Sequence, residues 1–486
     1  MPNLPNFDRR SFLKTTGAAG VAATLPFAGA SAAEAADGDG SIVDDALVLT
    51  SGVLHDVLVV FDPAADVNRL DTLDLAEGFY EFETLPVAYV KLYSDQVRQV
   101  ADWDGVRYVQ KNVELDYHND DARAVTEVDK VQNDLGYAGD GVHVAVIDSG
   151  VDGDHPDLQS SLVANWQWAG NPLGSPTLWI RAGSADTDTI GHGTHVSGTI
   201  AGDGTQSGGQ FKGMAPNADL TVYAAGAGIS ILKATAAYDH LLSRVQSGAT
   251  DVKLVNNSYG SSNGNDFNPD DALNVATWNA YRAGLLSMFS AGNSGPQTNT
   301  LNQYAKAPQV LGVAATKDNR AVTNFSSRGR KQGGDAQLDN WDRQTGLSNL
   351  ETYYADGTPS RPYGVYRPGV GAPGNRIVST MSPTDALQAE SAQDGRLYYA
   401  TISGTSMSSP VTTGIATLVV DAYRQNNSGD VAPMDLLNTV AAEAEDARSG
   451  YTPWNVGAGF TNAYRSVQRA ANGNLATFGD VTLVEY

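Results

Sequence analysis

The sequence predicts an α/β protein in which a mostly parallel twisted sheet carries helices on both faces, preceded by a small α+β, ferredoxin-like unit. Three observations support this prediction. From about residue 125, near-continuous apolar runs alternate with helical segments, the pattern of buried parallel strands joined by helices. Residues 42–118 instead mix short strands with two short helical stretches. The chain has 486 residues, 41% of them hydrophobic, which is enough for two or three units and a large core.

The N-terminus carries an export pattern. Arg9 and Arg10 are followed by Ser-Phe-Leu-Lys, a weakly apolar Ala/Gly-rich stretch and small residues at 30–32. This arrangement predicts a twin-arginine signal peptide over residues 1–33 and a secreted, extracellular protein. Threonines and Pro26 interrupt the apolar stretch, so it is too weak for a stable membrane span. An incidental arginine pair is the alternative interpretation.

Residues 34–122 are predicted to form the small α+β unit. Apolar and alternating runs predict five strands, at 57–61, 79–82, 88–92, 105–109 and 113–115, and a short helix at 94–101. The polar stretch 116–124 that follows is a plausible exposed junction for cleavage. An unrelated binding module is the alternative for this unit.

The larger unit is predicted over residues 123–475, followed by a tail at 476–486. Its predicted strands are 142–147, 220–225, 252–256, 285–290 and 310–315, and its predicted helices are 192–201, 231–246 and 270–282. Functional groups lie at the carboxyl ends of strands in such sheets, where Asp148 and Asn293 fall. About 37 polar residues at 330–366 break the alternation, and we expect a surface insertion that is either functional or unstructured.

Composition excludes several classes of function. The chain has no cysteine, which excludes disulfides, thiolate metal sites and a cysteine nucleophile. Its net charge is −24, with −15 in residues 34–122 and −11 in residues 123–486, which argues against nucleic-acid binding. Aspartate greatly outnumbers glutamate and lysine is scarce, as in proteins of salt-loving organisms. An ordinary acidic secreted protein is the alternative.

Three separate motifs end in the residue types that acyl transfer needs. Asp148 lies in VAVIDSG, His192 in GHGTHVSGT and Ser406 in SGTSMSSP. A carboxylate, an imidazole and a hydroxyl can act together as an oriented general base beside a nucleophile. Taken singly, an Asp before Ser-Gly is usually a turn former and a Ser before a helix is usually its N-cap. The three intact contexts favour the catalytic interpretation.

Apolar spacing after Ser406 predicts a buried helix that begins at this serine, with Pro410 in its first turn. Free backbone amides and the positive end of the helix dipole would then lie beside the hydroxyl. Asn293, in SAGNSGP after an apolar strand, could add a side-chain amide for a developing oxyanion. His195 competes with His192 for the role of base. A histidine metal pair is a further alternative, although the string lacks the HExxH pattern.

Aspartate, histidine and serine in this order, within these strings, resemble the subtilases, which are subtilisin-like serine endopeptidases. The resemblance covers about residues 125–470 and includes a closing motif at 457–463. With its acidic composition, the chain resembles the exported halophilic archaeal members of this family, the halolysin-like subtilases. It implies that His192 is catalytic and His195 structural. It also implies that Asn293 forms the oxyanion hole with the Ser406 amide, and that residues 34–122 are an inhibitory prosegment.

The resemblance also implies how substrates bind. Ser258, Tyr259 and Gly260 would pair with an extended peptide, and Ala291 and Gly292 would form the opposite wall of the primary pocket. Backbone pairing reads little sequence, so we expect a broad endopeptidase that prefers apolar or aromatic residues before the cut. A catalytically silent relative and a processing enzyme of narrow specificity are the alternatives.

The expected partners are polypeptide substrates and the chain's own prosegment, without nucleic acid or a stable membrane span, and the enzyme is expected to be a monomer. The chemistry needs no cofactor. Asp157 matches one carboxylate of a calcium site found in many bacterial subtilisins, but the loop at 202–213 is shorter than theirs. Calcium needs six to eight oxygen ligands, so a structural calcium is left open.

Overall fold

The structure is a computed structural model that describes residues 42–112, 114–117, 123–175, 177–261, 264–333, 339–358, 361–391, 397–446 and 451–483. The predicted signal peptide at 1–33 and residues 118–122 of the predicted junction lie outside the described residues.

The first described element is an antiparallel sheet with the strand order β2-β3-β1-β4. Its elements are β1 (Leu54–Phe61), a 3-10 helix (Val67–Thr72), β2 (Phe79–Glu81), β3 (Val87–Tyr93), α1 (Ser94–Ala101) and β4 (Val106–Lys111). This is the order of a ferredoxin-like sandwich, which confirms the predicted α+β unit.

Both faces of this sheet are buried because successive side chains of a strand point to opposite faces. In β1, Val57 and Val59 belong to a core formed with α1, while Leu58 and Val60 belong to the core of the larger unit. The larger unit therefore covers the face of the sheet that α1 does not cover.

The larger unit contains an eight-stranded sheet with the order β15-β14-β13-β11-β6-β9-β7-β8. All neighbours are parallel except β7 and β8, which confirms the predicted α/β class. The strands are β6 (His143–Asp148), β7 (Leu162–Trp168), β8 (Trp179–Arg181), β9 (Asp219–Ala224), β11 (Leu254–Asn257), β13 (Leu286–Ser290), β14 (Val310–Thr316) and β15 (Val370–Pro373).

Helices cover this sheet and fill its core. They are α2 (His192–Ala201), α3 (Ile231–Gln246), α4 (Ala272–Arg282), α5 (Arg343–Asp356), α6 (Ala386–Ser391), α7 (Thr405–Asn426), α8 (Pro433–Ala442) and α9 (Ala463–Ala471). Single helical turns lie at Val128–Lys130 and Pro453–Val456, and β16 (Asn375–Thr380) pairs with β17 (Tyr399–Ser403). Within the described residues, no helix is both long and apolar enough to cross a membrane.

The described part of the stretch at 330–366 is not an unstructured loop, because it contains the helix α5. Asp342 caps this helix by accepting a hydrogen bond from the Gln344 amide. The buried Arg343 guanidinium donates to the carbonyl oxygens of Pro308 and Val310 at 2.6 and 2.7 Å. Leu347 and Leu350 are buried and form a short apolar stripe on this helix. Polar residues surround both leucines in the sequence, so the helical spacing was not recognised there.

A third sheet joins the two units. β5 (Glu114–Tyr117) lies between β10 (Ile229–Ser230) and β12 (Tyr259–Gly260) and is antiparallel to both. The segment that follows the N-terminal sheet thus adds a strand beside the carboxyl end of β11.

Candidate active site

Asp148 and His192 form a buried hydrogen-bonded pair. Asp148 is the last residue of β6, and its Oδ1 lies 2.5 Å from His192 Nδ1. Their exposed fractions are 0% and 2%. Burial raises the pKa of Asp148, although the imidazole and the Ser149 amide oppose the shift. Because the carboxylate accepts, Nδ1 carries the proton, and Nε2 is the ring nitrogen that is able to accept one.

Two local features hold His192 in place. It is the first residue of α2, and the next residue, Gly193, packs closely on the turn after β6: a Cβ there would lie 2.2 Å from the Gly150 carbonyl oxygen. Asp188 accepts from the amides of Gly191 and Thr194 at 2.9 and 2.8 Å, so it caps the helix. Asp188 was not predicted from the sequence; its signal is an aspartate three residues before Gly191, the glycine that precedes the helix.

His195 takes no part in this pair. Its Nε2 lies 3.3 and 3.2 Å from the carbonyl oxygens of Ile377 and Ala400, on the two strands of the β16–β17 hairpin. Burial lowers the pKa of His195 to about 3, so the ring is neutral and Nε2 donates. His195 therefore ties α2 to the hairpin.

Ser406 is the second residue of α7 and is fully buried. Pro410 is the sixth residue of α7 and lies in its second turn, so its predicted position in the first turn is wrong. A proline has no N–H, so the Ser406 carbonyl loses its helical partner, and the Ser258 hydroxyl donates to it instead at 2.7 Å. In return, Ser406 Oγ donates to the Ser258 carbonyl at 2.7 Å.

Asn293 is bound to the start of the same helix. Its Oδ1 accepts from the backbone amide of Thr405 at 2.9 Å and from the Thr405 hydroxyl at 3.0 Å. Because the Thr405 amide can only donate, the oxygen must face it. The Asn293 Nδ2 group is therefore directed away from Thr405 and is held there as a donor.

The residues predicted to bind substrate lie at the carboxyl edge of the large sheet. Tyr259 and Gly260 pair with Tyr117 and Asp116 in the backbone register of β12 and β5. Ser258 is buried beneath them against Ser406. Both strands that flank β5 thus pair through their backbone edges with an extended segment, which here is β5 of the chain itself.

The predicted opposite wall is also close to the helix that bears Ser406. Ala291 and Gly292 are buried directly after β13, and the Gly292 amide donates to the Thr405 hydroxyl at 3.1 Å. The structure therefore brings the predicted wall residues, Asn293 and the start of α7 together.

The surroundings of Asp157 do not fit a calcium ion. One carboxylate oxygen accepts from the Gln206 amide at 2.8 Å and the other from the Tyr399 hydroxyl at 2.5 Å. Hydrogen-bond donors thus stand where calcium would need further oxygen ligands. Among the residues that the structure describes, no three His, Cys, Asp or Glu side chains form a group that could hold a metal ion.

A buried Asp–His pair, a serine at a helix start and an asparagine held at that start, all at the carboxyl edge of a parallel sheet, are groups that an α/β serine hydrolase uses. The sequence model of the subtilase family matches residues 139–459. The chain therefore belongs to the subtilase family, and it is a serine endopeptidase. A twin-arginine translocation signal matches residues 6–26, which supports export through that pathway.

Similar proteins come from several bacteria. The serine protease AprX of Bacillus subtilis is 27% identical over 401 residues, which cover 76% of each chain. A subtilisin of Bacillus sp. strain TA39 is 30% identical over 302 residues, or 60% of each chain. Fervidolysin from Fervidobacterium pennivorans, a keratinolytic enzyme related to subtilisin, has a TM-score of 0.59 at 19% identity. That match covers 86% of this chain and 61% of fervidolysin, and it shows the shared fold alone.

Proposed function

We propose that the protein hydrolyses peptide bonds through an acyl-enzyme, with Ser406 as nucleophile, His192 as general base and Asp148 as its orienting carboxylate. The observation that carries this proposal is the 2.5 Å hydrogen bond between His192 Nδ1 and buried Asp148, beside the helix start that bears Ser406. It sets the tautomer in which Nε2 takes the hydroxyl proton.

The first half-reaction forms the ester. Ser406 Oγ attacks the substrate carbonyl carbon while its proton moves to His192 Nε2. When the C–N bond breaks, the imidazolium returns that proton to the leaving amine, and the acyl group remains on Ser406. A water molecule then repeats these steps, donating its proton to His192 and releasing the acid and the free serine. Asp148 stabilises the imidazolium in both halves.

The tetrahedral oxyanion would be held by two donors. Asn293 Nδ2 is oriented by the contacts of its oxygen with Thr405, and the Ser406 amide is among the first N–H groups of α7. A preorganised donor stabilises the developing charge without reorganisation during the reaction.

We further infer a broad specificity with a preference for apolar or aromatic residues before the cut. Substrate would add a strand to β12, where Ser258, Tyr259 and Gly260 offer backbone groups that read little sequence. Ala291 and Gly292 would line the pocket for the residue before the cut.

Residues 34–122 would be an intramolecular inhibitor that the enzyme removes from itself. Its strand β5 already occupies the edges of β10 and β12. Asp239 of α3 accepts from the amides of Glu83, Thr84 and Leu85 at 3.0, 2.7 and 3.2 Å, which holds the unit on the enzyme surface. The cleaved bond would lie in the stretch 116–124.

The acidic composition supports a salt-loving, exported zymogen similar to halolysins. Salt screens repulsion between the carboxylates while they keep the surface hydrated. Much of the negative charge, −15, lies in residues 34–122 and would leave on maturation. The chemistry itself would need no metal.

The test compares the wild type with Ser406→Ala by following mass with time at several salt concentrations. We expect the wild type to lose roughly the first 120 residues and Ser406→Ala to keep them, with kcat reduced by about 10⁶-fold, the magnitude found for this kind of nucleophile. Ser466→Ala is the matched control, because this buried serine of α9 donates to the Asn462 carbonyl, and α9 carries none of the proposed catalytic residues. Processing of Ser406→Ala at the wild-type rate in a protease-free system would contradict self-cleavage. Equal activity at low and multimolar salt would contradict the halophilic assignment.

A further inference from the structure

One arginine of the N-terminal unit inserts its side chain, which is mostly removed from solvent, into the larger unit. Arg107, on β4, forms an ion pair through Nη2 with Asp270 Oδ1, and both side chains are only 13% exposed. Its guanidinium carbon lies 5.1 Å from the ring centre of Tyr353 and 5.0 Å from that of Tyr354. A guanidinium within about 6 Å of an aromatic ring is attracted by the ring's quadrupole, most strongly when water is excluded.

The groups that receive Arg107 are held in place by the larger unit. Tyr353 donates its hydroxyl proton to Asp270 Oδ2 at 2.5 Å, and the Tyr354 hydroxyl donates to the Pro269 carbonyl. Trp278 of α4 stacks on Tyr354 with 4.9 Å between ring centres. These contacts do not include Arg107. They position Asp270, Tyr353 and Tyr354, a set of side chains that we call the arginine receptor.

Both tyrosines belong to α5, the helix within the predicted insertion at 330–366. The insertion therefore supplies two of the three side chains of the arginine receptor; Asp62 of the N-terminal unit also lies 3.8 Å from Arg107 Nε. The helix itself is anchored to the enzyme by Arg343 and by buried Leu347 and Leu350, so the receptor stands on a packed element.

The charge balance makes this contact unusual. The two units carry net charges of −15 and −11, so their long-range electrostatic interaction is repulsive. Among the described residues, Arg107–Asp270 is the single ion pair that links the two units. A desolvated pair is screened by salt much less than an exposed one.

We propose that α5 and Asp270 form a recognition surface for the chain's own prosegment, and that Arg107 is the side chain it recognises. This inference rests on the proposed function, since it takes residues 34–122 as the inhibitor. The receptor acts after self-cleavage, when the severed prosegment stays bound only through its contacts. It prolongs the latent state of the cleaved complex and leaves the cleavage chemistry unchanged.

The experiment uses the full-length chain and two readouts: the time at which the prosegment is cut, and the time at which a small peptide substrate is hydrolysed. For Arg107→Ala we expect wild-type cleavage and a lag between the two events that is at least about tenfold shorter, since truncating a buried charge partner mainly raises the dissociation rate. Arg98→Ala is the matched control, because Arg98 pairs with Asp95 inside its own unit and is 51% exposed. Its lag should equal that of the wild type.

A double-mutant cycle separates recognition from general stability. Tyr354→Leu should shorten the lag in the wild-type chain and change it little in Arg107→Ala, because the two substitutions remove the same contact. An unchanged lag in Arg107→Ala, or an equal effect of Tyr354→Leu in both backgrounds, would overturn the proposal.

Two further outcomes are distinguishable. If Arg107→Ala does not yield cleaved protein, Arg107→Lys is the deciding variant, because it keeps the charge but not the planar guanidinium. Its lag should lie clearly below the wild-type value. A lag equal to that of the wild type would overturn the proposal. If the wild type itself is not cut, or if Ser406→Ala is cut normally, the proposed function fails, irrespective of the receptor.

Discussion

At the scale of single residues, the site depends on donors and acceptors whose direction is set by a neighbour. Asn293 illustrates this point, because one backbone amide, that of Thr405, decides which end of its side chain is free to donate. Sequence reasoning identified Asn293 from its motif but had no access to this orientation, which depends on a residue 112 positions away in the chain.

Replacement of Asn293 tests the oxyanion role. Asn293→Ala should lower kcat about 100- to 1,000-fold with little change in KM, because the lost donor acts mainly in the transition state. Asn293→Asp keeps the acceptor for Thr405 but removes the donor and adds a negative charge, so it should be at least as slow as the alanine variant. Steady-state kinetics on one peptide substrate measure both, and an Asn293→Asp enzyme of wild-type kcat would contradict the assignment.

At the scale of elements, a hydrogen bond that is missing within the first turns of α7 is replaced by one from outside the helix. Pro410 deprives the Ser406 carbonyl of its helical hydrogen bond, and the Ser258 hydroxyl supplies a replacement from the segment after β11. The nucleophile is thereby fixed to the strand edge on which substrate would lie.

This pairing predicts a coupled effect on stability. Ser258→Ala should destabilise the protein by about 1–3 kcal/mol, the cost of leaving a buried carbonyl without a partner. Pro410→Ala restores an N–H to the helix, so the same serine substitution should cost less in that background. Thermal unfolding in the Ser406→Ala chain, where autolysis is absent, measures the cycle, and strictly additive effects would contradict the coupling.

Element boundaries also show how far sequence patterns reach. Helices at 192–201 and 231–246 were predicted with the bounds observed in α2 and α3: glycines flank the first helix, and Ser230 caps the second by accepting from the Lys233 amide. Helix α5 was missed because only Leu347 and Leu350 are fully apolar and buried on it, while Arg343 is buried through hydrogen bonds to carbonyls of a distant loop.

At the scale of the whole molecule, the fold brings carboxylates from separate segments together at the N-terminal end of α2. Asp385 is buried and lies beside Gly191, the residue before His192. Burial first, and then the charges of Asp188 and Asp186, raise the pKa of Asp385 to about 8. The folded protein therefore holds this proton at neutral pH.

The raised pKa predicts a pH-dependent stability. Between the ordinary pKa of 3.8 and about 8, the folded state binds more protons at Asp385 than the unfolded state, so stability falls as pH rises through this window. Asp385→Asn imitates the protonated carboxyl, so its advantage over the parent chain should grow from pH 4 to pH 8 and then level off, reaching a few degrees in Tm.

The comparison is made by thermal unfolding in the Ser406→Ala background. Asp480→Asn is the control of opposite sign, because hydrogen bonds from Thr477 and the Arg469 guanidinium lower the pKa of exposed Asp480 to about 2. It should be neutral or destabilising at every pH above 4. An Asp385→Asn curve parallel to that of the parent chain would contradict the predicted linkage.

Sequence alone determined the class of fold, the family resemblance and the identity of the chemical groups at the site. These follow from local information: apolar periodicity, glycine and proline placement, and short strings around Asp148, His192 and Ser406. Only the tertiary structure decided which histidine contacts the carboxylate, that donors surround Asp157, and that Arg107 enters a receptor built from α5. Each of these depends on contacts between segments far apart in the chain, and such contacts are selected by packing of the whole core, which no local pattern records.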